Sequence, residues 1–193
     1  LDARTLDAFG MPVRRFLDGP VALRAETSGR GFDFIAVDLD ADFSNAALEA
    51  PGGAWLKPAG ARGSAQFTLR LDAADGIRVT DMHAEADGLL IDGRVRLHPD
   101  GRLAGARLDR LLVAGYAELS GAMTRSEEGG FDAWLQGPFL DARELIGQIS
   151  AMQTGAAAPS GQTPLELDLS IDTLLVSDDD SFTDFTLYWD GVD

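Results

Sequence analysis

The chain has 193 residues, 45% hydrophobic and 25% charged, with no cysteine and a formal net charge of −16. That length suits one domain, or a piece of a larger one, and is ample for a sizeable core. Thirty-two acidic against sixteen basic residues argue against nucleic acid and against docking on anionic headgroups, while the missing thiols remove disulfides, thiolate metal sites and cysteine nucleophiles.

In chain order, Leu6, Phe9, Val13, Phe16 and Leu17 fall at helical spacing, which predicts a short helix near 5–17 that Gly10 and Pro12 split or delay. From Val21 onward strict alternation dominates. Val21, Leu23 and Ala25 alternate with Ala22, Arg24 and Glu26, and Ile35, Val37, Leu39, Ala41 and Phe43 alternate with Ala36, Asp38, Asp40 and Asp42. Phe67, Leu69 and Leu71 repeat the pattern, then Ile77 and Val79, then Ile91, Val95 and Leu97. A period of two is what a strand shows when one face is apolar and the other wet. Turn signals arrive at short intervals, among them Asp75-Gly76, Asp87-Gly88, Asp92-Gly93 and Pro99-Asp100-Gly101. Asp-Gly between alternating runs predicts hairpins with type I′ turns, which need positive φ at both central residues.

Asp141-Ala142-Arg143-Glu144 has capping-box spacing before Leu145, Ile146, Ile149 and Met152, so a helix is expected over 141–152. Residues 154–164, rich in Gly, Ala and Pro, read as a flexible linker. Alternation resumes with Leu165, Leu167, Leu169 and Ile171. An internal echo joins the two stretches. Val79-Thr80-Asp81-Met82 leading to Asp87-Gly88-Leu89 is matched by Phe182-Thr183-Asp184-Phe185 leading to Asp190-Gly191-Val192. The expected fold is therefore mainly β, a curved antiparallel meander of taco-like or open-barrel form, with one or two short helices. The expected organisation is a strand-rich repeat over 1–153, a linker over 154–164 and the start of a second repeat over 165–193. The chain opens without Met and stops in a strand-like pattern, which predicts an excised fragment.

Signatures of chemistry are scarce. Neither a nucleophile elbow nor a Walker A sequence occurs, and with only His83 and His98 there is no zinc-protease motif. Asp38, Asp40 and Asp42 share one face of a strand, but carboxylates at i and i+2 on a flat strand diverge rather than converge on a Ca²⁺ ion. They read as a solvated face that discourages edge aggregation. Asp178-Asp179-Asp180 reads as a charged turn. No catalytic residue, metal site or cofactor is expected. Alternation by itself favours an ordinary packed interior over a lipid groove.

The order of features resembles a known family. Gly19-Pro20-Val21-Ala22-Leu23 opens a strand, an acidic strand follows, and then come Trp55-Leu56-Lys57-Pro58-Ala59-Gly60, Gly63-Ser64-Ala65, Gly88-Leu89 with Asp92-Gly93, Gly101-Arg102-Leu103 and Gly137-Pro138-Phe139-Leu140-Asp141-Ala142-Arg143. This succession, over roughly Leu17 to Leu145, is similar to the AsmA-like proteins, specifically their YhdP-type central region. The resemblance implies a periplasmic segment of an inner-membrane-anchored protein of a Gram-negative bacterium. It also implies a curved sheet whose apolar lining moves phospholipids towards the outer membrane without a chemical step. The residues expected on the groove or core face come from the alternation alone: Ile35, Val37, Leu39, Phe67, Leu69, Leu71, Ile77, Val79, Ile91, Val95, Leu97, Leu167 and Leu169. The expected partner is phospholipid acyl chains, with membrane contact only through parts of the parent protein outside this chain. The alternative is a structural or protein-interaction β module with a fully packed core.

Overall fold

The computed structural model describes residues 17–30, 33–49, 55–72, 76–126, 129–143 and 165–190. They form thirteen strands: β1 (Leu17–Asp18), β2 (Ala22–Arg30), β3 (Asp33–Asp42), β4 (Ala47–Glu49), β5 (Leu56–Lys57), β6 (Gly63–Asp72), β7 (Gly76–Ala86), β8 (Leu89–Leu97), β9 (Leu103–Val113), β10 (Ala117–Arg125), β11 (Phe131–Asp141), β12 (Leu165–Leu175) and β13 (Ser181–Asp190). Ten of them make one curved sheet in the order β13-β12-β11-β10-β9-β8-β7-β6-β3-β2, which does not close into a barrel. β1, β4 and β5 form a separate three-stranded sheet.

Every neighbouring pair in the large sheet is antiparallel except β11 and β12, which run parallel with Phe131 opposite Leu165 and Leu140 opposite Leu174. Parallel neighbours cannot be joined by a tight turn. Residues 142–164 supply the crossover, and the expected helix and linker fall in it, outside the described residues beyond Arg143. The expected N-terminal helix likewise lies outside them. The two boundary residues that are described correct those expectations: Leu17 pairs with Leu48 in a strand and Asp141 is the last residue of β11.

The hairpins form, with two corrections in detail. At Asp87-Gly88, between the paired Ala86 and Leu89, only Gly88 takes positive φ, at 73°, so the turn is not type I′. Asp92-Gly93 is not a turn at all but lies inside β8, where the pairing to β9 shifts register. A Cβ on Gly93 would sit 2.4 Å from the Arg107 carbonyl oxygen, so glycine there serves the close approach of two backbones. The echo also has a structural counterpart. Asp81 and Asp184, at equivalent places in it, are the two non-glycine described residues with positive φ, at 53° and 52°. In β7, Asp81 lies within a bulge between the Val79–Val95 and Met82–Gly93 pairs, and such bulges add bend and twist to a sheet.

Burial is concentrated at one end of the strands. One cluster gathers Val113, Ala117, Leu119, Leu140, Ala142, Ile171 and Leu174, and the other Leu17, Val21, Ala41, Ala46 and Ala65. A single line of opposed residues, Ala41–Ala65–Ala84–Ile91–Leu111–Leu119, links the two across six strands. The three alanines in that line leave room for the small sheet, whose Leu17 and Leu48 pack against them.

Candidate functional site

Pairing register assigns each side chain to a face. One line crosses all ten strands: Thr27–Val37–Leu69–Val79–Val95–Ala106–Met123–Ala133–Leu167–Trp189. Nine of its ten members are apolar. Parallel to it run Ala25–Leu39–Phe67 and Gly93–Leu108–Gly121–Leu135–Leu169–Leu187, and beyond it Leu71–Ile77–Leu97–Leu103. Twelve of the thirteen positions expected on the apolar face have this parity by pairing register, and the side chain of Ile35 lies outside the described residues. Ile91 belongs to the line that links the buried clusters.

The face is continuous but not covered. Val37, Leu39, Phe67, Leu69, Ile77, Val79, Ile91, Val95, Leu97, Leu167 and Leu169 are all half-buried, and Leu71 is 48% exposed. Leu187 and Trp189 on the outer strand are 41% and 51% exposed. Among the described residues no second layer spans this face; the small sheet and the buried clusters occupy only the end where the alanines lie.

That closed end is held by the Trp55–Gly60 loop. Lys57, the single lysine of the chain, is 2% exposed and donates from Nζ to the carbonyls of Phe43 at 2.8 Å, Ala46 at 2.7 Å and Pro58 at 3.3 Å. Its stem lies over Gly63, where a Cβ would fall 2.7 Å from Lys57 Cε. Trp55 donates from Nε1 to the Asp87 carbonyl at 2.8 Å and packs on the larger buried cluster. Gly60 N–H donates to Ser44 O at 2.7 Å. The loop thus ties β3, β5, β6 and the β7–β8 turn together.

The exit from β11 makes a second knot. Asp141 is buried, its N–H donates to Tyr116 O, and its carboxylate accepts from Arg143 Nε at 2.9 Å and the Arg143 N–H at 3.1 Å. Arg143 also reaches Asp178 in the β12–β13 turn, tying the end of β11 to the turn that follows its parallel neighbour β12. The Arg143 hydrogen bonds hold the Asp141 carboxyl below the usual carboxylate range. A depressed folded-state pKa contributes stability above the unfolded value, near 4, that is lost as pH falls through the folded one. The wild-type chain is therefore expected to exceed Asp141→Asn in stability at neutral pH, with the gap closing below about pH 4 in urea titrations. A gap independent of pH would show that the pairing contributes nothing.

The opposite face is charged. Asp38, Asp40 and Asp42 are exposed there, Asp38 accepting from Thr68 Oγ1 at 2.6 Å, and Ser44 holds the Asp42 carboxyl below its ordinary range through hydrogen bonds. His83 Nδ1 lies 2.6 Å from Asp92 Oδ1 on the same surface. Asp178-Asp179-Asp180 forms the β12–β13 turn, closed by Ser177 Oγ hydrogen-bonded to Asp180. No group of three or more His, Cys, Asp or Glu among the described residues is placed to hold a metal ion. No described helix is long and apolar enough to cross a membrane.

The alternation missed part of the apolar face. Ala106, Leu108, Met123, Ala133, Leu135, Leu187 and Trp189 belong to it, on β9, β10, β11 and β13. A signal was present in Phe131-Asp132-Ala133-Trp134-Leu135, but Trp134 points outward and inverts the apparent pattern. Compared with protein-family models, with curated proteins and with solved structures, the chain matches none.

Proposed function

We propose that this chain is a non-enzymatic segment of an AsmA-like, YhdP-type envelope protein, and that its apolar sheet face carries phospholipid acyl chains through the periplasm. On this reading the parent protein is anchored in the inner membrane and serves transport between inner and outer membranes. The observation that carries the reading is the apolar line from Val37 to Trp189, unbroken across nine adjacent strands and only half-buried. A soluble protein rarely leaves so large an apolar surface unmatched unless something binds it. Each acyl CH₂ removed from water gains about 0.8 kcal/mol, so a continuous lining lowers the cost of crossing an aqueous gap. The charged outer surface keeps such a strip soluble.

Phospholipid is expected to co-purify with the chain expressed with periplasmic export and isolated without detergent, as read by native mass spectrometry. A photoreactive residue at Val95 should crosslink to it, and one at exposed Gln136 on the opposite face should not. Lipid-free protein with no crosslink at Val95 would favour the alternative, an interaction module with its face packed.

A further inference from the structure

We propose that the outward face of β7, β8 and β9 holds a binding site for a phosphate-bearing anion, centred on Arg94, Arg96 and Arg107. This site lies on the side of the sheet opposite the apolar lining and does not depend on the lipid reading.

The pairing register brings together arginines that the sequence keeps apart. Arg70 stands opposite Arg78, Arg78 opposite Arg96, and in the next line Arg94 stands opposite Arg107. Like charges directly across a strand pair repel. The chain has twice as many acids as bases with which to relieve them. Apart from Asp109, which pairs with Arg107, and Asp92, which faces His83, those acids lie elsewhere on this face. On one flank are Glu26, Asp38 and Asp40; on the other Asp132, Glu166, Asp168 and Asp190, whose combined field raises the pKa of Tyr188 among them, Glu166 most. Arg70, Arg94 and Arg96 make no ion pair with another described residue. Arg107 is the oriented member, its Nε donating to Asp109 at 2.8 Å and its guanidinium lying 5.9 Å from the Trp134 ring centroid.

Between the arginines the surface sinks. Gly105 and Ala122 fill the positions beside Arg96 and Arg107, leaving a shallow depression of about 300 Å³ bordered by Arg78, Arg94, Arg96 and Arg107. The Arg96 guanidinium reaches over Gly105, 3.5 Å from where a Cβ would stand. Guanidinium forks match phosphate oxygens in bidentate geometry, and opposed residues about 5 Å apart suit one or two phosphate groups. The acidic flanks repel the same anion from the rest of the face, which confines it to the depression. A phosphate ester in solution and a phospholipid headgroup offer the same chemistry.

The test uses the 193-residue chain, inorganic pyrophosphate followed by calorimetry and Trp fluorescence at low ionic strength, and flotation with vesicles containing phosphatidic acid against phosphatidylcholine alone. Saturable one-to-one pyrophosphate binding is expected, weakened at least tenfold in R94A/R96A and unchanged in R24A. Flotation with phosphatidic acid, lost in R94A/R96A, with no pyrophosphate binding would assign the phosphate to a headgroup. Loss of two mutually repelling charges should leave the melting temperature unchanged or raised; if the double variant unfolds, Arg96→Gln alone reads the same loss. Failure of both probes, or binding that the arginine variants retain, overturns the site.

Discussion

Lys57→Met is expected to lower the unfolding free energy by about 3 kcal/mol, the largest single-residue effect anticipated here. Methionine keeps an unbranched stem over Gly63 but removes every donor to the carbonyls of Phe43, Ala46 and Pro58. A buried carbonyl left without a partner costs about 1–3 kcal/mol. The surroundings of Ala46, which is 0% exposed, give water little access to its carbonyl, while the rim of the loop can rehydrate, so the sum falls short of three full penalties. For a chain of this size that corresponds to a drop in Tm of about 6–12 °C, measurable by calorimetry or circular dichroism. A change below about 1 °C would mean that the carbonyls find other partners and that Lys57 is not the tie at the closed end. The loss should be local in the first instance, with amides of β1, β4 and β5 exchanging earlier than those of β8 to β12.

Val79→Glu combined with Val95→Glu is the second large effect, and it falls on function rather than stability. The two residues face each other in the line that crosses the sheet, so the pair puts two carboxylates in the middle of the apolar strip. On a face open to solvent, each carboxylate stays hydrated and the Tm is expected to fall by only a few degrees. In a closed core, two unpaired buried charges would cost several kcal/mol each and unfold the chain. Retained phospholipid is expected to drop at least tenfold, because an acyl chain laid across the strip meets charge midway. Gln136→Glu on the outer face serves as the control and should retain lipid. Loss of the fold in the double variant would show a packed interior and remove the basis for lipid carriage.

Much of the apolar face was legible because its members on β3, β6, β7, β8 and β12 announced themselves locally. Val37 and Leu39 between Asp38 and Asp40, or Phe67, Leu69 and Leu71 in a row, admit one pairing parity, since a slip of one residue would turn every aspartate towards the lining. Legibility failed where bulges or outward aromatics broke the parity. Trp134 hides Ala133 and Leu135, and the shift between Leu119 and Gly121 hides Met123. The Trp55–Gly60 loop was readable as punctuation, but the three carbonyls that receive Lys57 lie at positions 43, 46 and 58, which only the small sheet assembles. The arginine cluster was invisible for the same reason. Positions 78, 94, 96 and 107 become neighbours through strand pairing and not through spacing.

By itself the sequence determined the strand period, the sign of each face and the recurrence of the Thr-Asp element, whose Asp81 and Asp184 share a positive φ. These are local properties, set by the alternation of Cβ atoms along an extended backbone and by what one or two residues allow in φ. Tertiary structure alone decided that β12 joins β11 in parallel, that the alanine line is the end which closes, and that the rest of the lining stays open. Those outcomes depend on which distant segments meet. Burial is a property of what covers a residue, and no periodicity within a strand records what lies across from its face.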